Sequence, residues 1–446
     1  MKGAGYRRWA AGAGLAMAML VATVTAGCGG VRTSPSGGGS SAGGPVTIEY
    51  WHVNSADWGG PATDEIVRRF NQSHPGIRVE AKFIPGNYKG IIENVQAAVA
   101  AGRPPAVIQV GYNFLDYVAQ NLPHLPVEEA ARRDTKDPDF LSNFLPQVLD
   151  LGRVGGKLEG MPFSISNPVL YYNADLFRQA GLDPDRPPAT WEEVREYARI
   201  IKEKTGAYGF YMQQPPDFWI EQALIESNGA RLLISENGKR ETGIGSPEAI
   251  EAFRLYADMV LKDKTALHAK WEEGNQAFAA GRVGILVTTI AKRSYFEENS
   301  TFDLRTAKFP TFGSKPRRVP AGGNALFILA QDPRQQEAAW EFIKYMVSPE
   351  ALTIWVKGTG YLPPHKDATQ EAYLGPFLRE NPLMKPALEQ LPDVVPWTSF
   401  PGESGLQIVE ILLNTRDDIL GGRREPEEAL PDAARRINDL LSRTGQ

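Results

Sequence analysis

Aromatic and amide side chains are the residues of this sequence whose types and spacing best suit chemistry, and that chemistry is recognition. The 446-residue chain contains nine Trp and fifteen Tyr. Several lie in predicted loops, namely Trp51, Trp58, Tyr88, Tyr112, Trp219, Tyr361 and Trp397. Sugar rings stack on aromatic faces, and their hydroxyls need polar partners such as Asn54, Asn113, Ser166, Asn167 and Asn324.

Taken singly, each loop aromatic is explained at least as well by packing in the core. Trp191, Trp340 and Trp355 fall within predicted helices and are expected to be core residues. As a set at strand ends, where open α/β sheets bind ligands, the loop aromatics favour a binding cleft.

Catalytic and metal-binding patterns are missing from the sequence. The five His are scattered without the i, i+4 spacing of a zinc helix, and the single Cys excludes a thiolate metal site. The sequence has no phosphate-binding loop of the G-x-x-x-x-G-K-S/T kind. Glu pairs beginning at 192, 272 and 297 are expected on solvated helix faces rather than in a glycosidase pair. We therefore expect no enzyme activity, metal or cofactor.

The N-terminus predicts export. Lys2, Arg7 and Arg8 precede an apolar run over 9–26, and small residues lead to Cys28. This pattern predicts a signal peptide over 1–27, a lipid on Cys28 and a Gly/Ser-rich tether over 28–45. Lipoprotein signals usually carry Leu where this chain has Thr25, so a simply cleaved secreted protein and an uncleaved anchor helix remain alternatives. All three place the folded part outside the cytoplasm, in the periplasm or on the outer face of the cell membrane.

The chain length and the net charge further restrict the class of protein. Roughly 400 residues follow the tether, which suggests two domains. A formal charge of −5 argues against a nucleic-acid partner, because phosphate binding needs a basic surface. Predicted strands at 46–51, 77–84 and 106–110 alternate with helices at 64–73 and 88–101. This alternation is typical of an α/β protein with a parallel sheet covered on both faces.

Local motifs add helix starts and a family resemblance. Capped helices are predicted at three places: Thr190 with Glu193, Ser246-Pro247 and Ser348-Pro349.

The stretch 162–173, PFSISNPVLYYN, resembles the central motif of extracellular solute-binding proteins, which deliver sugars to ATP-driven ABC importers. The stretches 180–183 and 188–191 continue this resemblance. Further similar stretches are 277–281, 321–324 and 358–363, and the resemblance spans about 46 to 440. The most similar subgroup binds glycerol-3-phosphate, followed by the maltose- and trehalose-binding types.

The resemblance implies a periplasmic-binding-protein fold of two lobes that close on a ligand, with three hinge crossings near Phe163, Gly322 and Val347. Lobe 1 would comprise 46–163 plus 322–347, and lobe 2 would comprise 164–321 plus 348–446. It also implies a monomer without catalytic activity whose partners are the membrane permease subunits of an ABC transporter.

Residue by residue, the resemblance places Tyr88, Ser166, Trp219, the pair Gly322-Gly323 and Tyr361 in the ligand site. Together with the loop residues, the predicted ligand-binding set is Asp57, Trp58, Tyr88, Tyr112, Asn113, Ser166, Asn167, Trp219, Gly323, Asn324, Tyr361 and Glu403.

Two positions depart from the phosphate-binding subgroup. Tyr112 replaces an acidic residue, and the phosphate-binding Arg falls near Pro401, where Glu403 is the nearby charge. Phosphate recognition usually uses a guanidinium. We therefore expect a neutral carbohydrate as ligand. The alternatives are glycerol-3-phosphate or a glycerophosphodiester, and a secreted glycoside hydrolase.

Replacing Cys28 with Ala is expected to release the protein into the medium, because the lipid has no other thiol to which it can attach. Fractionating cells and medium and quantifying the protein in each checks this. An altered protein that stays with the membrane as before would show that Cys28 is not the anchor.

Overall fold

The computed structural model describes residues 44–236, 239–400 and 404–443. The predicted signal peptide, Cys28, most of the tether and Glu403 lie outside the described residues. The strands are β1 (Val46–His52), β2 (Ile77–Phe83), β3 (Val107–Gly111), β4 (Arg153–Val154), β5 (Lys157–Leu158), β6 (Met161–Ser166), β7 (Pro168–Asn173), β8 (Tyr208–Met212), β9 (Ile234–Glu236), β10 (Lys239–Glu241), β11 (Val283–Thr289), β12 (Leu304–Lys308), β13 (Val319–Pro320), β14 (Gly322–Ile328) and β15 (Val394–Val395).

Helices cover and connect these strands. They are α1 (Gly60–Ser73), α2 (Asn87–Ala100), α3 (Leu115–Asn121), α4 (Val127–Arg133), α5 (Pro146–Leu149), α6 (Ala174–Ala180), α7 (Trp191–Thr205), α8 (Trp219–Ser227), α9 (Pro247–Leu261), α10 (Trp271–Ala279), α11 (Arg293–Asn299), α12 (Pro333–Met346), α13 (Pro349–Gly358), α14 (Gly375–Glu380), α15 (Lys385–Glu389), α16 (Gly405–Leu420) and α17 (Pro426–Arg443). Among the described residues, no helix is long and apolar enough to cross a membrane.

The first sheet has five strands in the order β2-β1-β3-β14-β6. β1 pairs in parallel with β2 and β3, which confirms the parallel arrangement predicted from the strand–helix alternation. β14 joins from far along the chain and runs antiparallel to both β3 and β6. The sheet is therefore mixed rather than wholly parallel.

The second sheet has four strands in the order β12-β7-β11-β8. Only β11 and β8 pair in parallel, while β7 is antiparallel to both β11 and β12. The chain passes from the first sheet to the second at Asn167, between β6 and β7. The chain returns to the first sheet with β14. Helix α13 follows the predicted crossing at Val347 and packs against α1. The lobe limits given above stay a prediction.

Predicted caps and core residues are confirmed. Thr190 accepts a hydrogen bond from the Glu193 backbone N–H at 3.2 Å, and the Glu193 carboxylate accepts one from the Ala189 backbone N–H at 2.8 Å. Ser246 and Ser348 cap α9 and α13. Trp191, Trp340 and Trp355 are all buried.

His52 at the end of β1 is expected to make the protein less stable in acid. Burial lowers the pKa of His52 to about 4. Because this lies below the unfolded value of about 6.5, the unfolded state binds a proton that the native state does not as pH falls from 6.5 to 4. The resulting loss of unfolding free energy is about 3 kcal/mol.

Urea unfolding of wild type and His52→Asn at pH 4 and pH 7 measures this loss. Asn retains an acceptor for the Asn54 backbone N–H, which lies 3.2 Å from His52 Nδ1. The variant is expected to lose less stability in acid than wild type. The control is His74→Asn, at a half-buried histidine that directly follows α1. Equal acid losses in wild type and His52→Asn would contradict the assignment.

Candidate ligand-binding site

A small cavity lies where the ends of both sheets meet. Its lining residues are Trp58, Asn87, Tyr88, Ser166, Gln213, Pro215, Asp217, Trp219, Trp271, Thr289, Gly322, Gly323, Tyr361 and Trp397. Six of these fourteen are aromatic, and one is charged. The lining therefore combines large apolar faces with a small number of polar groups, as small-molecule sites commonly do.

Backbone geometry brings the rings close together. A Cβ at Gly322 would lie 2.5 Å from Trp219 Cζ2, so only glycine lets the β14 backbone approach this ring. Asn87 has φ 56°, which is uncommon for a residue other than glycine. Backbone strain of this kind clusters at functional sites. Here it opens α2 and places Asn87 and Tyr88 at the cavity.

The aromatic residues of the lining form two groups, and within each group the rings are in contact. Trp58 meets Trp271 edge-on with ring centroids 5.3 Å apart and stacks with Tyr361 at 6.3 Å. Trp397 contacts Tyr88 at 6.2 Å and Trp219 at 6.1 Å. Trp219 is fixed by its indole N–H, which donates to the Pro320 carbonyl at 3.1 Å. Both groups present ring faces or edges on which a flat ligand can pack.

Among the described residues of the lining, Asp217 supplies the only charged side chain. Its Oδ1 accepts a hydrogen bond from the Trp219 backbone N–H at 3.1 Å, while its Oδ2 lies 3.4 Å from Asn87 Nδ2. Burial raises the pKa of Asp217 to about 6, against the opposing effects of the Trp219 N–H and Arg416. No Lys, Arg or His is found among the described residues that line the cavity.

Several buried polar atoms of the lining have no partner among the described residues. The acceptors are Asn87 Oδ1 and Gln213 Oε1, and the donors are the indole N–H groups of Trp58 and Trp271. A buried polar group without a hydrogen bond costs on the order of 1–3 kcal/mol. Acceptors and donors of this kind are suited to a ligand that can both donate and accept.

Lys292 is a buried cation that lies beyond the cavity wall. Its Nζ donates to Asp57 Oδ2 at 3.2 Å and lies 5.3 Å from the ring centroids of both Trp58 and Trp271. Burial lowers the pKa of Lys292, against the raising effect of Asp57. The charge is thus paired and placed behind two indole rings.

The structure brings half of the predicted site residues to the cavity, namely Trp58, Tyr88, Ser166, Trp219, Gly323 and Tyr361. Asn324 lies one layer behind and donates to the Tyr88 hydroxyl at 3.0 Å. Asp57 faces Lys292, and Tyr112 donates to the Ser164 carbonyl at 2.9 Å. Their role in binding stays a prediction.

Two predicted amides lie away from the cavity. Asn167 donates to the Ala387 carbonyl and accepts from Gln390, and Asn113 is buried without lining the cavity. Sequence reasoning did not include Asn87, Gln213, Pro215, Asp217, Trp271, Thr289, Gly322 or Trp397 in the predicted set. The position of Asp217 after β8, in Pro215-Pro216-Asp217, is a strand-end signal that could have indicated it.

Comparison with known proteins points to one family. Residues 65–386 match the model of the family described as bacterial extracellular solute-binding protein. The sn-glycerol-3-phosphate-binding periplasmic protein UgpB of Escherichia coli (strain K12) is 26% identical over 418 residues, covering 89% of this chain and 93% of that protein.

Two solved structures show the same fold. UgpB from Mycobacterium tuberculosis in complex with glycerophosphocholine has a TM-score of 0.78 at 22% identity, covering 90% of this chain and 99% of that chain. Maltose-bound MalE3 of T. maritima has a TM-score of 0.78 at 22% identity, covering 89% and 100%. The chain therefore has the two-lobed α/β fold of periplasmic binding proteins, as predicted.

Truncating Trp219 to Ala is expected to weaken ligand binding by roughly 1–3 kcal/mol while the protein stays folded, because its ring borders the cavity. Trp191→Ala is the matched control, since Trp191 packs between Phe210 and Phe309 in the core. That variant should lose about 3–5 kcal/mol of unfolding free energy. Calorimetric affinity and urea midpoint on both variants make the comparison. Unchanged affinity in folded Trp219→Ala would remove Trp219 from the site.

Proposed function

The chain belongs to the bacterial extracellular solute-binding protein family, and from this premise we propose that it captures a neutral carbohydrate for an ABC importer. Binding occurs in the cavity between the two sheets, and closure of the lobes encloses the sugar. The further partners are the permease subunits of the importer. The protein acts outside the cytoplasm, as a monomer held by lipid on Cys28.

The observation that carries this proposal is the hydrogen-bonding inventory of the cavity. Asn87 Oδ1 and Gln213 Oε1 need donors, whereas the indole N–H groups of Trp58 and Trp271 need acceptors. Asp217 Oδ2 has one long contact of 3.4 Å, to Asn87 Nδ2, and can accept a further donor. A sugar hydroxyl is at once a donor and an acceptor, so a polyhydroxylated ligand can satisfy both sets. In glycerol-3-phosphate the phosphate group only accepts, so its two hydroxyls would have to supply all the donors, whereas a sugar offers more hydroxyls.

The aromatic residues support the same class of ligand. Trp58, Trp271 and Tyr361 form one contacting group, and Trp397 joins Tyr88 and Trp219 in another. Burying the C–H faces of a sugar against such rings removes apolar surface from water. Closure then strengthens the polar contacts, because water no longer competes for them.

Glycerol-3-phosphate or a glycerophosphodiester is the second candidate, and similarity to UgpB favours it. Two buried cations lie near the cavity, and both are already engaged. Lys292 is paired with Asp57 and separated from the cavity by Trp58 and Trp271. Arg416 donates to the Pro215 and Asp217 carbonyls and to Glu221. A phosphate would have to displace Asp57 from Lys292 or bind beside Asp217. Both arrangements are unfavourable for an anion.

A glycoside hydrolase is the third candidate and has the least support. Such enzymes generally place two carboxyl groups about 5–10 Å apart on either side of the scissile bond. Within the described part of the cavity lining, Asp217 is the sole carboxylate. The related proteins named above are also binding proteins.

Titration calorimetry with maltose, trehalose, sucrose and glycerol-3-phosphate tests the proposal. We expect micromolar binding of at least one sugar and none of the phosphate, because the cavity offers a carboxylate and no cation. Lys292→Met is the control variant: it should leave sugar recognition in place and would abolish phosphate binding that depends on this cation. Binding of glycerol-3-phosphate alone would overturn the ranking in favour of the second candidate.

A further inference from the structure

A cluster of three charged side chains is buried directly beneath the cavity. Asp217 precedes α8, Glu221 lies one turn into α8, and Arg416 reaches them from α16. They are 7%, 0% and 5% exposed, respectively. Two acids therefore face one guanidinium, and only Asp217 lines the cavity. Buried charges are costly unless paired, so the way in which Arg416 divides its hydrogen bonds determines what Asp217 can do.

Arg416 holds the backbone around Asp217 rather than its carboxylate. Its Nη1 donates to the carbonyls of Pro215 at 2.9 Å and Asp217 at 3.3 Å, and to Glu221 Oε1 at 3.3 Å. Its Nε donates to Asp417 at 2.9 Å. The guanidinium thus fixes the loop that carries Asp217 and neutralises Glu221, which leaves the Asp217 oxygens free to face other groups.

The two oxygens of Asp217 have different surroundings. Oδ1 accepts from the Trp219 backbone N–H at the start of α8, where the helix dipole also favours a negative charge. Oδ2 has one contact, a long one of 3.4 Å to Asn87 Nδ2, which belongs to α2 and the first sheet. An almost fully buried carboxylate oxygen with a single long contact retains capacity for another donor.

We propose that Asp217 is the specificity-determining residue of this site: its carboxylate accepts a hydrogen bond from a ligand hydroxyl and excludes ligands that carry a negative charge there. Arg416 is the positioning residue that holds the 215–217 loop in place. The proposal rests on the proposed function, because a hydroxyl donor is the group that a sugar supplies.

The negative charge of Asp217 explains why the site would select hydroxyl groups over phosphate. A hydrogen bond between a hydroxyl and an ionised carboxylate is stronger than one between neutral groups. A phosphate in the same place would bring two negative charges together where water is excluded. Asparagine has nearly the shape of aspartate without its charge, so Asp217→Asn separates the contribution of charge from that of packing.

Low pH is expected to weaken ligand binding, because it protonates Asp217. The pKa of Asp217 is raised to about 6 by burial, so below this pH protonation removes the negative charge and turns one of its two acceptor oxygens into a donor. The charged and titratable groups around it are Glu221 and Arg416 beneath and Tyr88 and Tyr361 across the cavity. Burial raises the pKa of Glu221 to about 7, but Glu221 does not line the cavity. Both tyrosines have a raised pKa, chiefly through burial, and remain neutral in this range.

The test measures affinity by titration calorimetry at pH 5 and pH 8 for wild type, Asp217→Asn and Glu226→Gln. The probes are whichever of maltose, trehalose and sucrose binds wild type most tightly, and glycerol-3-phosphate. Glu226 is the matched control, because it is a second buried carboxylate on α8 that pairs with Arg318 and does not line the cavity.

For wild type we expect the sugar affinity to be about tenfold lower at pH 5 than at pH 8, since roughly a tenth of a group with pKa near 6 is ionised at pH 5. Asp217→Asn should bind the sugar about 10- to 100-fold more weakly at pH 8, as for loss of a charged hydrogen bond, and should lose the pH dependence. The same variant should bind glycerol-3-phosphate more tightly than wild type does. Glu226→Gln should behave as wild type.

The experiment gives different results if the assignment to Asp217 is wrong and if the proposed function is wrong. If wild type binds a sugar equally at pH 5 and pH 8, the assignment to Asp217 is wrong while the proposed function stands, and this result needs no variant to fold. The same conclusion follows if folded Asp217→Asn keeps wild-type affinity and pH profile. If wild type binds none of the three sugars at either pH, the proposed function fails and the assignment fails with it.

Discussion

The whole site depends on how the chain leaves one sheet for the other at Asn167. β6 ends at Ser166 and β7 begins at Pro168, so a single residue separates strands of different sheets. Asn167 is fully buried, and its amide donates to the Ala387 carbonyl at 2.9 Å and accepts from Gln390 at 2.7 Å. Gln390 in turn accepts from the Phe309 backbone N–H at 3.1 Å. At the break itself, the Asn167 carbonyl accepts from the Ile290 backbone N–H at 3.2 Å and the Pro168 carbonyl accepts from Gln390 at 2.6 Å, so these buried backbone groups keep partners.

This junction fixes where the two halves of the cavity can meet. Ser166 reaches the cavity at the end of β6, and Gly322 pairs with it at the start of β14. The close approach of Trp219 to Gly322 then links α8 to the same point. A polar junction is therefore a structural requirement and also borders the cavity. Asn167 holds this junction through its bonds to Ala387 and Gln390.

Local sequence patterns predicted the first three strands, the two helices between them and three capped helices, whereas the assembly of the cavity needed the structure. The parallel pairing of β1, β2 and β3 and the caps at Thr190, Ser246 and Ser348 follow from short-range signals. The insertion of β14 between β3 and β6 does not, because its partners lie far away in the chain. Asp217 and Trp271 were missed for the same reason. Trp271 carries no local signal, and the strand-end position of Asp217 after β8 does not show which side chains it meets. Only the fold brings both to the cavity, where Trp271 contacts Trp58.

The polar atoms of the cavity also explain why ligand recognition and closure are coupled. Asn87 and Trp58 come from segments next to the first sheet, whereas Gln213, Asp217 and Trp271 come from segments next to the second. When the lobes are apart, water can hydrogen-bond to all of them, and closure removes that water. Closing without a ligand therefore leaves Asn87 Oδ1, Gln213 Oε1 and two indole N–H groups unpaired, which opposes the closed state. A ligand that pairs with these atoms removes the opposition, so the groups that contact the ligand also determine how strongly it favours closure.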